Sequence, residues 1–199
     1  MRYADAMQLD HIAFQVRSLE KSLERLLACF PSLAASVGEA AEFADEGTRE
    51  IYVGSEQQGA RVLLIEPIGP GPYESSMQRR GPGLHHVAVG VPSVETYVDR
   101  LARQHSPRWL LHPKSLASLK AYATVWLTRP GIPALVEVFE QPDMVSAREE
   151  LAVGIGLPCT ARESALLDAL DCRALHRSAD DQAWIHIDDT RHRCSELCL

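Results

Sequence analysis

Residues 9–20 and 84–95 read as two copies of one pattern. When Leu9-Asp10-His11-Ile12-Ala13-Phe14-Gln15-Val16-Arg17-Ser18-Leu19-Glu20 is set above Leu84-His85-His86-Val87-Ala88-Val89-Gly90-Val91-Pro92-Ser93-Val94-Glu95, Leu, His, Ala, Val, Ser and Glu recur in register at a constant offset of 75. Arg25-Leu26 recurs at the same offset as Arg100-Leu101. Such a repeat constrains the fold more tightly than composition does, because each copy must be one supersecondary unit that buries its apolar face against its neighbour.

Each copy opens with an apolar-rich stretch, 9–16 or 84–91, that alternates with the period of a strand. Ser18 or Ser93 follows as an N-cap, with an acid in the first turn, where the helix dipole favours negative charge. Apolar residues then fall at helical spacing, as Leu19, Leu23, Leu26 and Leu27 in one copy and Val94, Val98 and Leu101 in the other. Short strands complete each unit. They are expected at 41–45, 49–53 and 60–67 in the first copy, and at 108–112, 121–128 and 134–140 in the second. Gly54, Gly59 and Pro130-Gly131-Ile132-Pro133 supply turns. The expected fold class is α+β, as two tandem β-α-β-β-β modules, 9–68 and 83–142, in one domain over 9–142. A tail at 1–8 precedes it, and an extension at 143–199, whose role the sequence leaves open, follows. Gly69-Pro70-Gly71-Pro72 and Gly81-Pro82-Gly83 flank the connection between modules.

A hydrophobic content of 46% is enough to fill a core, and a formal charge of −7 disfavours a nucleic-acid partner, which needs a basic footprint. No apolar run approaches the ~20 residues that span a bilayer, so no membrane partner is expected. The opening Met1-Arg2-Tyr3-Ala4-Asp5-Ala6 lacks the apolar region of a secretory signal. Cys29, Cys159, Cys172, Cys194 and Cys198 are odd in number and mostly C-terminal, which is no disulfide framework and suits a reducing cytoplasm.

The chemistry lies in polar residues placed on strands that should be buried. Alternation puts Ile12, Phe14 and Val16 on one face and His11, Ala13 and Gln15 on the other; it likewise separates Val87, Val89 and Val91 from His86, Ala88 and Gly90. One face should pack under the helix and the other look into a shared concavity, where a two-fold axis would bring His11 and His86 face to face. The strand Leu135-Val136-Glu137-Val138-Phe139 places Glu137 among apolar neighbours, where an ionised carboxylate is costly unless it is paired or binds a metal. Subtracting 74 from Glu137, with one residue of slip, gives Leu63, so the first copy has an apolar residue where the second has its acid. Two imidazoles and one carboxylate suit a divalent ion (zinc, nickel, cobalt, manganese or non-haem iron) and leave coordination positions open.

The runs Leu9-Asp10-His11-Ile12-Ala13, Gly83-Leu84-His85-His86-Val87-Ala88 and Leu135-Val136-Glu137-Val138 resemble the vicinal-oxygen-chelate superfamily, which includes glyoxalases, bleomycin-resistance proteins and dioxygenases. The Gly-Leu-His-His-Val run is most similar to methylmalonyl-CoA epimerases, and Thr48-Arg49-Glu50-Ile51-Tyr52-Val53 to the epimerase strand bearing a catalytic glutamate. The resemblance spans 9–142. It implies His86, the second of the pair, as ligand, Glu50 and Glu137 as catalytic carboxylates, a small-molecule substrate with a CoA thioester among the candidates, and admits a homodimer. Leu63 departs from it, falling where epimerases and glyoxalases place a Glu or Gln ligand and moving the set toward the superfamily's iron dioxygenases. Glu66 has the opposite face parity to Leu63, which disfavours it as a substitute.

Three activities follow as expectations: metal-assisted proton transfer next to a carbonyl of a thioester or oxo acid, an Fe(II)-dependent dioxygenase reaction, or small-molecule binding without chemistry, as in drug-resistance members. The dioxygenase reading lacks an obvious extra acid/base histidine; His112 is the nearest candidate, and His112-Pro113 reads more like a loop. His85 is expected on the helix-facing side of its strand. Trp109, Trp126 and Trp184 are expected as core aromatics, with the lining of a pocket as the alternative, and Arg79, Arg80, Lys114 and Lys120 as solvated, with a phosphate-bearing cofactor as the alternative. In the extension, Thr160-Ala161-Arg162-Glu163 reads as a capping box opening a helix to about 174. Residues 183–187 read as a strand, and the end, with His186, His192, Cys194 and Cys198, reads as a disordered thiol-bearing tail, with a soft-metal site of non-standard spacing as the alternative.

Overall fold

A computed structural model describes residues 7–55, 59–103, 108–113, 115, 119, 123–141 and 153–198. Among these, the first half runs β1 (Gln8–Gln15), α1 (Leu19–Cys29), β2 (Ala41–Phe43), β3 (Thr48–Val53) and β4 (Arg61–Pro67). The second runs β5 (Gly83–Val91), α3 (Val94–Ala102), β6 (Leu110–Leu111), β7 (Thr124–Thr128) and β8 (Leu135–Glu140), with α2 (Pro72–Arg80) between the halves. Both first helices begin as the sequence predicts: the Ser18 and Ser93 hydroxyls accept from the backbone N–H groups of Lys21 and Thr96. The α2 helix was not anticipated, although Pro72 in its first turn and Gly81 just past its end are the residues that start and stop helices.

The eight strands form one sheet in the order β2-β3-β4-β1-β5-β8-β7-β6. Each half has the same wiring: β1 pairs parallel with β4, which pairs antiparallel with β3, and β5 pairs parallel with β8, which pairs antiparallel with β7. The halves join through the antiparallel pair β1–β5 at the centre. That ladder slips twice. Asp10 is passed over between the Leu9–Val89 and His11–Ala88 pairs, and His85 between the Ala13–His86 and Phe14–Leu84 pairs. Each slip is a β-bulge, and Asp10 and His85 stand at the same repeat position.

Alternation then sorts the faces. Ile12, Phe14, Val16, Val87, Val89 and Val91 pack with Leu26, Val94 and Tyr97 of α1 and α3 in the main core, while Ala13, Leu63, Ile65 and Tyr73 form a small cluster on the other face. Residues 142–152 lie outside the described set. Beyond them come β9 (Gly154–Leu157), α4 (Ala161–Leu170), β10 (Leu175–Arg177), β11 (Trp184–Ile187) and β12 (Thr190–Arg193), giving a second sheet ordered β10-β9-β11-β12. The capping box at Thr160 and Glu163 is formed. The expected disordered tail is instead ordered: Cys194 and Leu197 are buried in the main core, because they close the end of the second sheet against it. The second sheet packs on the helix side. Tyr97 Oη donates to the Leu170 carbonyl at 3.2 Å, Trp109 Nε1 to Leu166 at 3.0 Å, and Arg25 Nε to Glu196 at 3.1 Å. All five cysteines are free.

One core thus runs through both sheets, so they should melt together. Leu170→Ala, at a fully buried position on α4, should cost about 2–5 kcal/mol. Urea unfolding followed by far-UV circular dichroism and by tryptophan emission should give coincident transitions in both proteins.

Candidate metal centre

The face away from α1 and α3 carries a cleft of about 810 Å³. His11 from β1, His86 from β5 and Glu137 from β8 meet on its floor. His11 Nε2 lies 3.1 Å from His86 Nε2, and Glu137 Oε2 lies 3.5 Å from His86 Nε2 and 4.0 Å from His11 Nε2. A point about 2.1 Å from all three atoms exists inside that triangle, which is a ligand-bond length for zinc and its neighbours. The three side chains fit a divalent ion in donor type, spacing and convergence, and are the cluster of this kind among the described residues.

The two-fold wiring explains the convergence. Ala13 pairs with Leu63 and Ala88 with Glu137, so Leu63 and Glu137 occupy matching positions. Tyr52 pairs with Leu63 and Trp126 with Glu137, and these aromatics meet His11 and His86 edge-on at ring distances of 5.4 and 5.1 Å. Leu63 lies on the cleft wall, where a fourth ligand would stand in a symmetric set. Glu66 turns away and faces Arg49 at 3.7 Å.

Behind the floor, the bulged residues hold the imidazoles by their far nitrogens. His11 Nδ1–H donates to Asp10 Oδ2 at 2.7 Å, and Asp10 in turn accepts from Arg61, whose guanidinium sits 4.1 Å over the Tyr52 ring. His86 Nδ1 lies 2.8 Å from His85 Nδ1. His85 is therefore not on the helix side, as strict alternation predicts. The extra residue in the ladder resets the alternation, and the ring lines the cleft and packs on Tyr73 at 4.9 Å. Burial pushes the His85 imidazole down to about 4 and that of His86 well below its ordinary value, so neither carries charge at neutral pH.

Burial, helped by the charges of Asp10, Glu46 and Glu50, raises the Glu137 carboxyl to about 7. Glu50 lines the same cleft from β3; burial raises it too, against a hydrogen bond from Thr48 Oγ1 at 2.8 Å. Trp126, expected in the core, lines the cleft instead, and His112 joins it, its backbone N–H donating to the Trp126 carbonyl at 2.7 Å. Trp109 packs against the core, whereas Trp184 lies under Arg191 on the second sheet. Arg79 and Arg80 on α2 reach the cleft rim, and Arg80 donates to Ser76 Oγ at 2.7 Å. Lys114 and Lys120 lie outside the described residues. Among the described residues no helix is long and apolar enough to cross a membrane.

The raised Glu137 carboxyl links folding to pH. Between about 4.5 and about 7 the metal-free folded chain keeps a proton on Glu137 that the unfolded chain has released, so this group lowers stability as pH rises through that window. In chelator-treated protein, Glu137→Gln should therefore gain stability relative to the native sequence from about pH 5 to about pH 8, read from urea midpoints.

No protein-family model and no curated protein matches the chain. Solved structures do. A hypothetical protein from Bacillus halodurans C-125 superposes with a TM-score of 0.54 at 19% identity, over 71% of this chain and 99% of that one. A methylmalonyl-CoA epimerase in complex with methylmalonyl-CoA and NH4+ gives 0.47 at 17%, over 71% and 99%. A triple mutant of 4-hydroxymandelate synthase from Streptomyces coelicolor gives 0.49 at 20%, over 75% and 53%. Identities this low bear on fold and not on activity. The likeness is one of fold, with paired strand–helix–three-strand halves joined at β1 and β5.

Proposed function

We propose that this chain is a metal-dependent enzyme that moves a proton next to a carbonyl, as an epimerase or isomerase does, on an acyl thioester or oxo acid. The observation that supports it most is the place of Glu50, a carboxylate whose pKa burial raises, in the same cleft as His11, His86 and Glu137. A carboxylate works as a general base at neutral pH when its surroundings bring its pKa toward that range. Glu50 reaches the cleft from β3 in the first half and Glu137 from β8 in the second. A substrate carbon between them meets a proton acceptor on one side and a proton donor on the other.

In this reading His11, His86 and Glu137 hold the divalent ion, which when bound supplies positive charge that makes the neighbouring C–H more acidic. Glu50 takes or returns the proton, and Glu137 serves as ligand and as acid/base on the opposite side. Arg79 and Arg80 at the rim offer positive charge to an anionic substrate, such as a CoA thioester.

Solvent-deuterium exchange into acyl-CoA esters, followed by NMR with metal-loaded protein, is the test. Exchange should be seen, and Glu50→Gln should slow it about 10²–10⁴-fold while metal content stays unchanged. Absence of exchange with every ion tried would sink the proposal.

A second reading is favoured by Leu63, which leaves two histidines and one carboxylate, the ligand set of non-haem iron oxygenases. Anaerobic loading with Fe(II) followed by oxygen-uptake measurement separates the two. Uptake dependent on an aromatic substrate, without proton exchange, would favour the oxygenase.

A further inference from the structure

We infer that His85 is a positioning residue, the second half's counterpart of Asp10, that holds His86 in the one tautomer able to present Nε2 to a metal. The inference rests on reading His11, His86 and Glu137 as a metal site and goes beyond it, because it concerns a residue outside that set.

The two ladder slips of the β1–β5 pair fall at Asp10 and His85, and each puts a polar side chain beside the next residue's imidazole. Asp10 Oδ2 stands 2.7 Å from His11 Nδ1, and His85 Nδ1 stands 2.8 Å from His86 Nδ1. A β-bulge re-aims a side chain in this way, and metal-bound histidines commonly give their second nitrogen to such a partner. With Asp10 the polarity is settled, because a carboxylate only accepts.

With His85 it must be worked out. Two Nδ1 atoms at 2.8 Å share one hydrogen, so one nitrogen donates and the other offers a lone pair. If His86 Nε2 is to offer its own lone pair to an ion, the His86 hydrogen sits on Nδ1. His85 Nδ1 is then the acceptor, and the His85 hydrogen sits on Nε2. Both rings are buried, and edge-on contacts with Trp126 and His11 hold the His86 plane, so the ring has little freedom to find another partner. His85 is in turn packed on Tyr73 of α2. The connecting helix thus braces the ligand through one intermediate ring.

The test uses the full chain and Zn²⁺ alone. His85→Phe keeps a ring against Tyr73 and removes the acceptor; His85→Asn keeps an acceptor on a side chain of Asp10's length. Zinc affinity by competition with a chromophoric chelator should fall about 10–100-fold in His85→Phe and stay within about threefold of native in His85→Asn. If the native protein binds no zinc, the metal-site reading itself fails. If it binds and His85→Phe binds as tightly, or His85→Asn is as weak as His85→Phe, the positioning role is overturned and the metal site stands. ¹⁵N NMR of histidine-labelled, zinc-loaded native protein gives an answer that needs no variant to fold. The expected signature is His86 protonated at Nδ1 and His85 at Nε2, and His85 protonated at Nδ1 would refute the role.

Discussion

The antiparallel pairing of β1 with β5 is the contact on which the rest of the molecule depends. It joins two similar halves through backbone hydrogen bonds at the middle of an eight-stranded sheet, and it sets which residues of the halves meet. Because the pair is antiparallel, His11 and His86 approach from opposite chain directions and their Nε2 atoms come together. A one-residue change of register would turn every side chain of one strand to the other face, exchanging imidazoles for core valines and isoleucines. The same ladder therefore fixes both the core and the cleft floor.

Polar groups on a buried strand are tolerated only with partners. Here the partners come from bulges, which spend a backbone hydrogen bond to deliver a polar side chain at a defined place. On the first half the delivered group is an acid tied to Arg61; on the second it is a neutral ring tied to Tyr73. The halves agree in backbone and differ in charge, and Leu63 against Glu137 repeats that contrast.

Much of this was legible in the sequence because a period of two, repeated at a fixed offset, carries facing and register together. The pairing of Ala13 with Leu63 and of Ala88 with Glu137 is the alignment the repeat implies, including its one-residue slip. His85 escaped because alternation has no symbol for an extra residue: a bulge is visible only in the pairing. The α2 helix escaped for another reason. Its nine residues lie between Gly-Pro runs that read as a linker, although Pro72 and Gly81 mark its ends. The second sheet was hidden by short strands; β9, as Gly154-Ile155-Gly156-Leu157, has four residues and little polarity contrast to read. Cys194 reads in sequence as part of a disordered tail, yet it is buried with Leu197 where the second sheet meets the main core.

Leu63 has a consequence for how anything can lie in the cleft. Two identical halves would offer a small molecule two equivalent headings, related by half a turn. A hydrocarbon wall on one side and an acid on the other remove that degeneracy. An occupant with one oily end and one oxygen-bearing end then has one preferred heading.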